Sequence, residues 1–115
     1  MLDSPFVAVG GLIDTGASCT AIDADLLAPL GMTPTGVTQM LTPSSGGKPV
    51  DVPQFDVMVG ITHPSGDPLL IDTVPIIAIH KFGKSGGIAA LIGRDILARC
   101  LLIYNGGEKN FTLAF

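Results

Sequence analysis

Leu12-Ile13-Asp14-Thr15-Gly16-Ala17-Ser18 is the stretch on which the reading of this chain turns. Two large apolar residues lead straight into a carboxylate, and a run of small, turn-prone residues follows. Leu12 and Ile13 read as the end of a buried strand. Gly16 allows a close backbone approach that a Cβ would forbid. Thr15 can hydrogen-bond to backbone or to another hydroxyl, and Ser18 can donate to the Asp14 carboxylate. The pattern therefore sets Asp14 at the tip of a strand, in a tight turn at the border of the core. Ionised carboxylates are seldom drawn inward without a partner or a task.

Outward from that turn the chain reads as many short strands. Phe6 to Val9 is an apolar run stopped by Gly10-Gly11, which predicts a strand and a turn. Thr20 to Ile22 predicts a further strand. Asp23 is a good N-cap for a short helix over Ala24 to Leu30, cut to roughly two turns by Pro29 and closed by Gly31. Val37 to Leu41 is strand-like. Thr42, Pro43, Ser44, Ser45, Gly46, Gly47, Lys48 and Pro49 are small or polar and predict either a hairpin tip or an ordinary surface loop. Phe55, Val57, Val59 and Ile61 alternate with Gln54, Asp56, Met58 and Gly60, the clearest period-2 strand present. Leu69 to Ile71 and Thr73 to Ile77 are strand-like, with Pro75 expected at a strand end or edge. Ala89 to Ile92 predicts a strand that meets Gly93 and then a short helix over Arg94, Asp95, Ile96 and Leu97. Asn105-Gly106 between the apolar runs Leu101–Tyr104 and Phe111–Phe115 predicts a hairpin. One all-β domain over residues 1–115, a barrel or sandwich with one or two short helices, is the architecture this pattern supports.

Composition removes several classes of function. Hydrophobic residues are 47% and charged residues 14%, which excludes a disordered chain and suggests apolar surface covered by a second copy. A net charge of −4 lacks the basic footprint of a nucleic-acid binder. No apolar run is long enough to span a membrane, and no signal peptide follows Met1, so a cytoplasmic location is favoured. Cys19 and Cys100 have no metal-like spacing and read as two thiols, although one disulfide is possible. His63, in a turn before Pro64, reads as solvated surface. His80 borders a loop.

Two separated segments together resemble the aspartic proteases of the retropepsin type. Leu12 to Ser18 is similar to the active-site loop of that family. Ala90-Leu91-Ile92-Gly93-Arg94-Asp95-Ile96-Leu97 is similar to its second, apolar-apolar-Gly-Arg segment, and a glycine-rich stretch lies between the two. The chain has a single Asp-Thr-Gly, as in half-length homodimeric members. The resemblance implies a closed acid-protease barrel and a homodimer. Asp14 of each protomer would act on an extended peptide or protein substrate, and no metal or cofactor is implied.

By that resemblance Thr15 would lock the two loops together, Gly16 would offer its carbonyl to substrate, and Ser18 would support the carboxylate beside Ala17. Residues Thr42 to Lys48 would form a flap, and Leu91, Ile92 and Gly93 would pack behind the catalytic turn. Departures are visible. Ser18 stands where viral members carry an acid that pairs with the arginine, so Asp95, Asp23 and Asp25 are the candidate partners of Arg94. The stretch before Asp14 is shorter, and the tail beyond Leu97 longer, which makes Leu101 to Phe115 candidate interface strands. The expected function is aspartic endopeptidase proteolysis. The alternatives are a catalytically silent dimerisation or peptide-binding module, and a cysteine hydrolase built on Cys19 with a histidine.

Overall fold

A computed structural model describes residues 6–41, 46–80 and 87–115. Eight strands and two short helices follow one another as β1 (Gly10–Ile13), β2 (Ala21–Asp23), α1 (Ala24–Leu27), β3 (Gly36–Met40), β4 (Val50–Ile61), β5 (Leu69–Ile79), β6 (Ile88–Ile92), α2 (Arg94–Leu97), β7 (Leu101–Asn105) and β8 (Asn110–Ala114). Six strands form one mixed sheet in the order β1-β6-β2-β5-β4-β3, and β7 and β8 form a separate hairpin. Pairing is parallel between β1 and β6 and between β2 and β5, and antiparallel elsewhere.

The closed barrel expected from the resemblance is not what the described residues form. The sheet is open, with β1 and β3 as its edges. The first strand also differs from the expectation. Phe6 to Val9 stays outside the sheet, and pairing begins at Gly10, where a turn was expected. Both glycines let β1 approach β6 closely. A Cβ at Gly10 would lie 2.7 Å from the Gly87 carbonyl oxygen, and one at Gly11 would lie 2.9 Å from Ile92 Cδ1. Among the described residues no strand precedes β1, and none joins the two edges.

Local chemistry explains the remaining elements. Asp23 accepts the Asp25 N–H at 3.0 Å and starts α1. Pro29 then turns the helix into a 3-10 segment over Ala28–Leu30, ended by Gly31 at φ 66°. Pro75 sits inside β5 rather than at its end. Because β2 pairs only with residues 77–79, that side of β5 is free at Pro75, where a missing N–H is tolerated. The last hairpin is closed by the pair Asn105↔Asn110. Asn105 Oδ1 accepts the Glu108 N–H at 3.0 Å, and the positive φ falls on Lys109 (56°), so Asn-Gly opens a four-residue turn instead of forming a two-residue one.

The core collects Leu27 of α1, Phe55 of β4, Ile71, Val74, Ile76 and Ala78 of β5, and Ile96 of α2. Alternation in β4 delivers Phe55, Val57 and Val59 to this side, despite a register shift between Val57 and Val59. Ile96 ties α2 to the sheet, and so fixes the residues just before it. Ile76 is 0% exposed. Its replacement by alanine is expected to cost about 2–5 kcal/mol, and by valine about 0.5–1.5 kcal/mol, read from urea unfolding midpoints.

Candidate active site

The Asp14 turn is held by the segment that follows β6. The register Ile13↔Ile92 ends β1, and the Asp14 N–H continues it by donating to the Ile92 carbonyl at 2.9 Å. The turn then closes on itself. The Gly16 N–H donates to Asp14 Oδ1 at 3.0 Å, and the Ala17 N–H donates to the Asp14 carbonyl at 3.2 Å. On the far side the Arg94 N–H donates to the Ala17 carbonyl at 2.9 Å, and Arg94 Nη1 donates to the Thr15 carbonyl at 2.9 Å. Asp14 itself is half-buried, and Thr15 and Gly16 are exposed.

Below the turn lies a tighter lock. Thr20 is buried, and its hydroxyl works in both directions. It accepts the Gly93 N–H at 3.1 Å and donates to Asp95 Oδ1 at 2.7 Å. Asp95 Oδ2 accepts the Thr20 N–H at 3.0 Å, and Oδ1 also takes the Ile96 N–H at 2.8 Å. One carboxylate thus meets three donors on two segments. Bonds of this charged kind contribute about 1.5–3 kcal/mol each. Gly93 is required by the same closeness: a Cβ there would lie 2.6 Å from the Cys19 carbonyl carbon and oxygen and 3.1 Å from the Ala17 carbonyl oxygen.

The two sequence motifs are therefore brought together, with some roles reassigned. Leu91 pairs with Leu12 and Ala21, and Leu91, Ile92 and Gly93 lie against the Asp14 turn as expected. Arg94 is partnered by a backbone carbonyl and by none of the three acids considered for it. Asp95 is occupied with Thr20, Asp23 caps α1, and Asp25 lies 3.8 Å from His80 Nδ1. Ser18 does not hydrogen-bond to the Asp14 carboxylate; that place is filled by the Gly16 N–H. Of the expected flap, Thr42, Pro43, Ser44 and Ser45 lie outside the described residues. Gly46 and Gly47 form a turn at φ 64° and 81°, and β3 and β4 pair from Met40↔Val50 onward, so the segment does join two hairpin strands. No hydrogen bond ties Gly46, Gly47 or Lys48 to the Asp14 turn among the described residues.

The remaining polar groups lie elsewhere. The Ser65 N–H donates to His63 Nδ1 at 3.0 Å, and the ring meets Phe115 edge-on at 5.9 Å. Both cysteines are free. Burial pushes the Cys19 thiol above its ordinary range, the Asp95 charge adds to that, and the Ser18 hydroxyl opposes it. Burial alone raises Cys100. Such thiols are poor nucleophiles at neutral pH, which counts against the cysteine-hydrolase reading. Among the described residues no three His, Cys, Asp or Glu side chains are gathered as a metal site, and no helix is long and apolar enough to cross a membrane.

An apolar recess of about 430 Å³ lies between α1, β4 and Phe6–Val9, lined by Leu26, Leu27, Leu30, Met32, Val57 and Val59 among others. None of residues 12–18 lines it, so the recess and the carboxylate are different places. Comparison with protein-family models, with curated proteins and with solved structures finds no match for this chain.

Three outcomes follow from the close approaches at Gly93 and Gly11 and from the thiol. Gly93→Ala should destabilise by about 1–3 kcal/mol or more in urea unfolding, because backbone atoms stand in the way. Gly11→Ala should cost less, since the end of the Ile92 side chain can rotate aside. The alkylation rate of Cys19 against pH, followed by mass spectrometry, should inflect above the ordinary thiol value. The sign for stability is then fixed: the Cys19 contribution is full below the ordinary thiol range and is lost as pH rises through the folded value. An inflection at or below the ordinary value would contradict the surroundings described for Cys19.

Proposed function

We propose that this chain is one half of a retropepsin-like aspartic endopeptidase, in which Asp14 of two copies forms the catalytic pair. The observation that carries the reading is the position of Asp14. It ends β1 in a turn locked on both sides by the segment Ile92 to Asp95, with one carboxylate oxygen held by the Gly16 N–H and the residue half-open to solvent. A carboxylate capping its own turn would need no second segment to hold it. Here the carboxylate accepts the Gly16 N–H of its own turn, and the backbone of that turn is held in addition by a bond that reaches 79 residues along the chain.

Two carboxylates brought within hydrogen-bonding distance cannot both ionise and share one proton, which is the general behaviour of aspartic-protease pairs. The ionised Asp14 takes a proton from a water as its oxygen attacks the peptide carbonyl carbon. The protonated Asp14 donates to the carbonyl oxygen. The tetrahedral intermediate collapses with cleavage of the C–N bond, and a carboxyl proton passes to the leaving amine. The two pKa values belong to the pair and to neither protomer. Arg94 holds the Thr15 carbonyl, and Gly93 brings the turn close. The β3–β4 hairpin supplies the strands of a flap over an extended peptide, with apolar side chains on each side of the cut.

The test is digestion of a mixed peptide library across pH ~3–8, a range that brackets carboxylate titration. Wild type should cleave with an acid-side optimum, and Asp14→Asn should lose about 10²–10⁴-fold or more in rate with its unfolding midpoint kept. A folded, dimeric wild type that cleaves nothing across that range would replace the protease reading with that of a peptide-binding module.

A further inference from the structure

We propose that the free length of β4, Asp56 to Gly60, is a second peptide-binding site, which takes an extended segment of another protein as an added antiparallel strand. The segment carries apolar residues opposite Val57 and Val59 and a lysine or arginine opposite Asp56. None of residues 12–18 lines the recess beside this edge, so the site is separate from the Asp14 turn and Asp14 has no part in it.

Pairing on this edge stops early. β3 covers β4 only from Val50 to Gln54, and Pro34, just ahead of β3, has no N–H to continue the ladder. β4 runs on to Ile61 with β5 on its other side and, among the described residues, no strand on this one. Alternation decides which backbone groups are left over. The Gln54 carbonyl faces β3, where it accepts the Thr35 N–H at 2.8 Å. Asp56 lies opposite Pro75, which cannot complete a hydrogen-bonded pair. The N–H and C=O groups of Asp56, Met58 and Gly60 therefore point away from β5, toward the open edge. The register shift between Val57 and Val59 leaves this parity intact, because its extra residue is on β5. A row of unpaired donors and acceptors at strand spacing is matched by the backbone of another extended chain.

The side chains around the edge define the rest of the occupant. The recess of about 430 Å³ opens along it, with residues 56 to 60 as one wall. Val57 and Val59 face the core, and Leu27, Leu30 and Met32 continue the apolar lining. Every second side chain of an added strand thus enters an apolar cavity, and the ones between share the outer face with Asp56. Asp56 is exposed, and among the described residues no ion pair or side-chain hydrogen bond occupies its carboxylate. A cation opposite it is favoured and a second carboxylate repelled, and the chain's net charge of −4 acts in the same direction. The far wall can yield. Phe6, Val7 and Val9 line the recess, are 58%, 49% and 41% exposed, and among the described residues no backbone hydrogen bond ties residues 6–9 to the sheet. That segment has no cation to set against Asp56, so it does not itself meet the demands of the edge.

The probe is the synthetic peptide acetyl-Ser-Thr-Val-Thr-Val-Lys-Ser-amide, whose order sets its valines against Val59 and Val57 and its lysine against Asp56. Binding to the full chain is followed by NMR, with hydrogen exchange of single amides read at rising peptide concentration. Asp14→Asn is run beside wild type so that cleavage cannot consume the probe. The expected result is slowing of exchange at Asp56, Met58 and Gly60 by about 10-fold or more at saturation, equal in both chains, with residues 12–18 unchanged. Changing the peptide's lysine to glutamate should weaken binding by about 5-fold or more, and Asp56→Lys should reverse that preference. N-methylation of the central threonine should weaken binding by about 10-fold or more, whereas N-methylation of a valine is tolerated, because the threonine N–H faces β4 and the valine N–H does not. No slowing at these amides with about 1 mM peptide, or slowing at residues 12–18 instead, would overturn the site. Amides 56, 58 and 60 already protected without peptide would assign the edge to Phe6–Val9. Protection that grows with protein concentration alone would assign it to a second copy. Either result overturns the proposed occupant, as would lysine and glutamate peptides that bind alike. Should Asp56→Lys misfold, the peptide variants decide on their own. A wild type that binds the probe at β4 yet cleaves no library peptide would support this site and remove the protease activity.

Discussion

The carboxylate of Asp95 accepts the backbone N–H and the hydroxyl of Thr20, and the same hydroxyl takes the Gly93 N–H. These bonds clamp the start of β2 to the end of β6. With the Thr20 end held below, and Ile92 and Arg94 on either side, the Asp14 turn has little freedom left. The clamp works because Gly93 has no side chain, so two backbones meet at a distance no other residue permits. A buried threonine without Asp95 would leave a polar group unpaired in the core, a loss comparable to a whole hydrogen bond.

A single chain leaves this site open. Asp14 faces solvent on one side, and the apolar recess of about 430 Å³ lies elsewhere, behind α1 and β4. An enclosed cleft around Asp14 calls for walls that the open sheet does not provide alone. The same sheet leaves β1 and β3 as edges and sets β7–β8 apart with its apolar side chains outward. On the reading proposed here these are aspects of one design, in which the protomer is a half-site.

Local signals made much of the fold legible. Period-2 alternation marked β4, Asp23 and Gly31 bracketed the short helix, and the apolar runs around Asn105 marked the last hairpin. The two motifs at Asp14 and Gly93 were visible as patterns, and they do meet in space. What failed depended on distant parts of the chain. Gly10-Gly11 reads as a turn by local rules, yet it begins a strand because β6 comes close enough to need the missing side chains. Pro75 reads as a strand end, but it sits mid-strand because β2 is too short to reach it. The open sheet was not legible, since closure is decided by how distant strands pair and not by any local pattern. Arg94 and Asp95 show the same limit. Charge pairing suggested an acid for the arginine, whereas the acid went to Thr20 and the arginine to a carbonyl. Thr20, readable in the sequence only as the start of a short strand, is the residue that holds the lock.

The bond between Thr20 and Asp95 spans 75 residues of chain. Long separations of this kind form late, because the intervening loop must close before the contact is rewarded. A growing polypeptide exposes Asp14 to its surroundings long before Asp95 has been synthesised. Until then the turn has nothing to hold it. The locked geometry of the Asp14 turn is thus withheld until the chain has been made through Asp95.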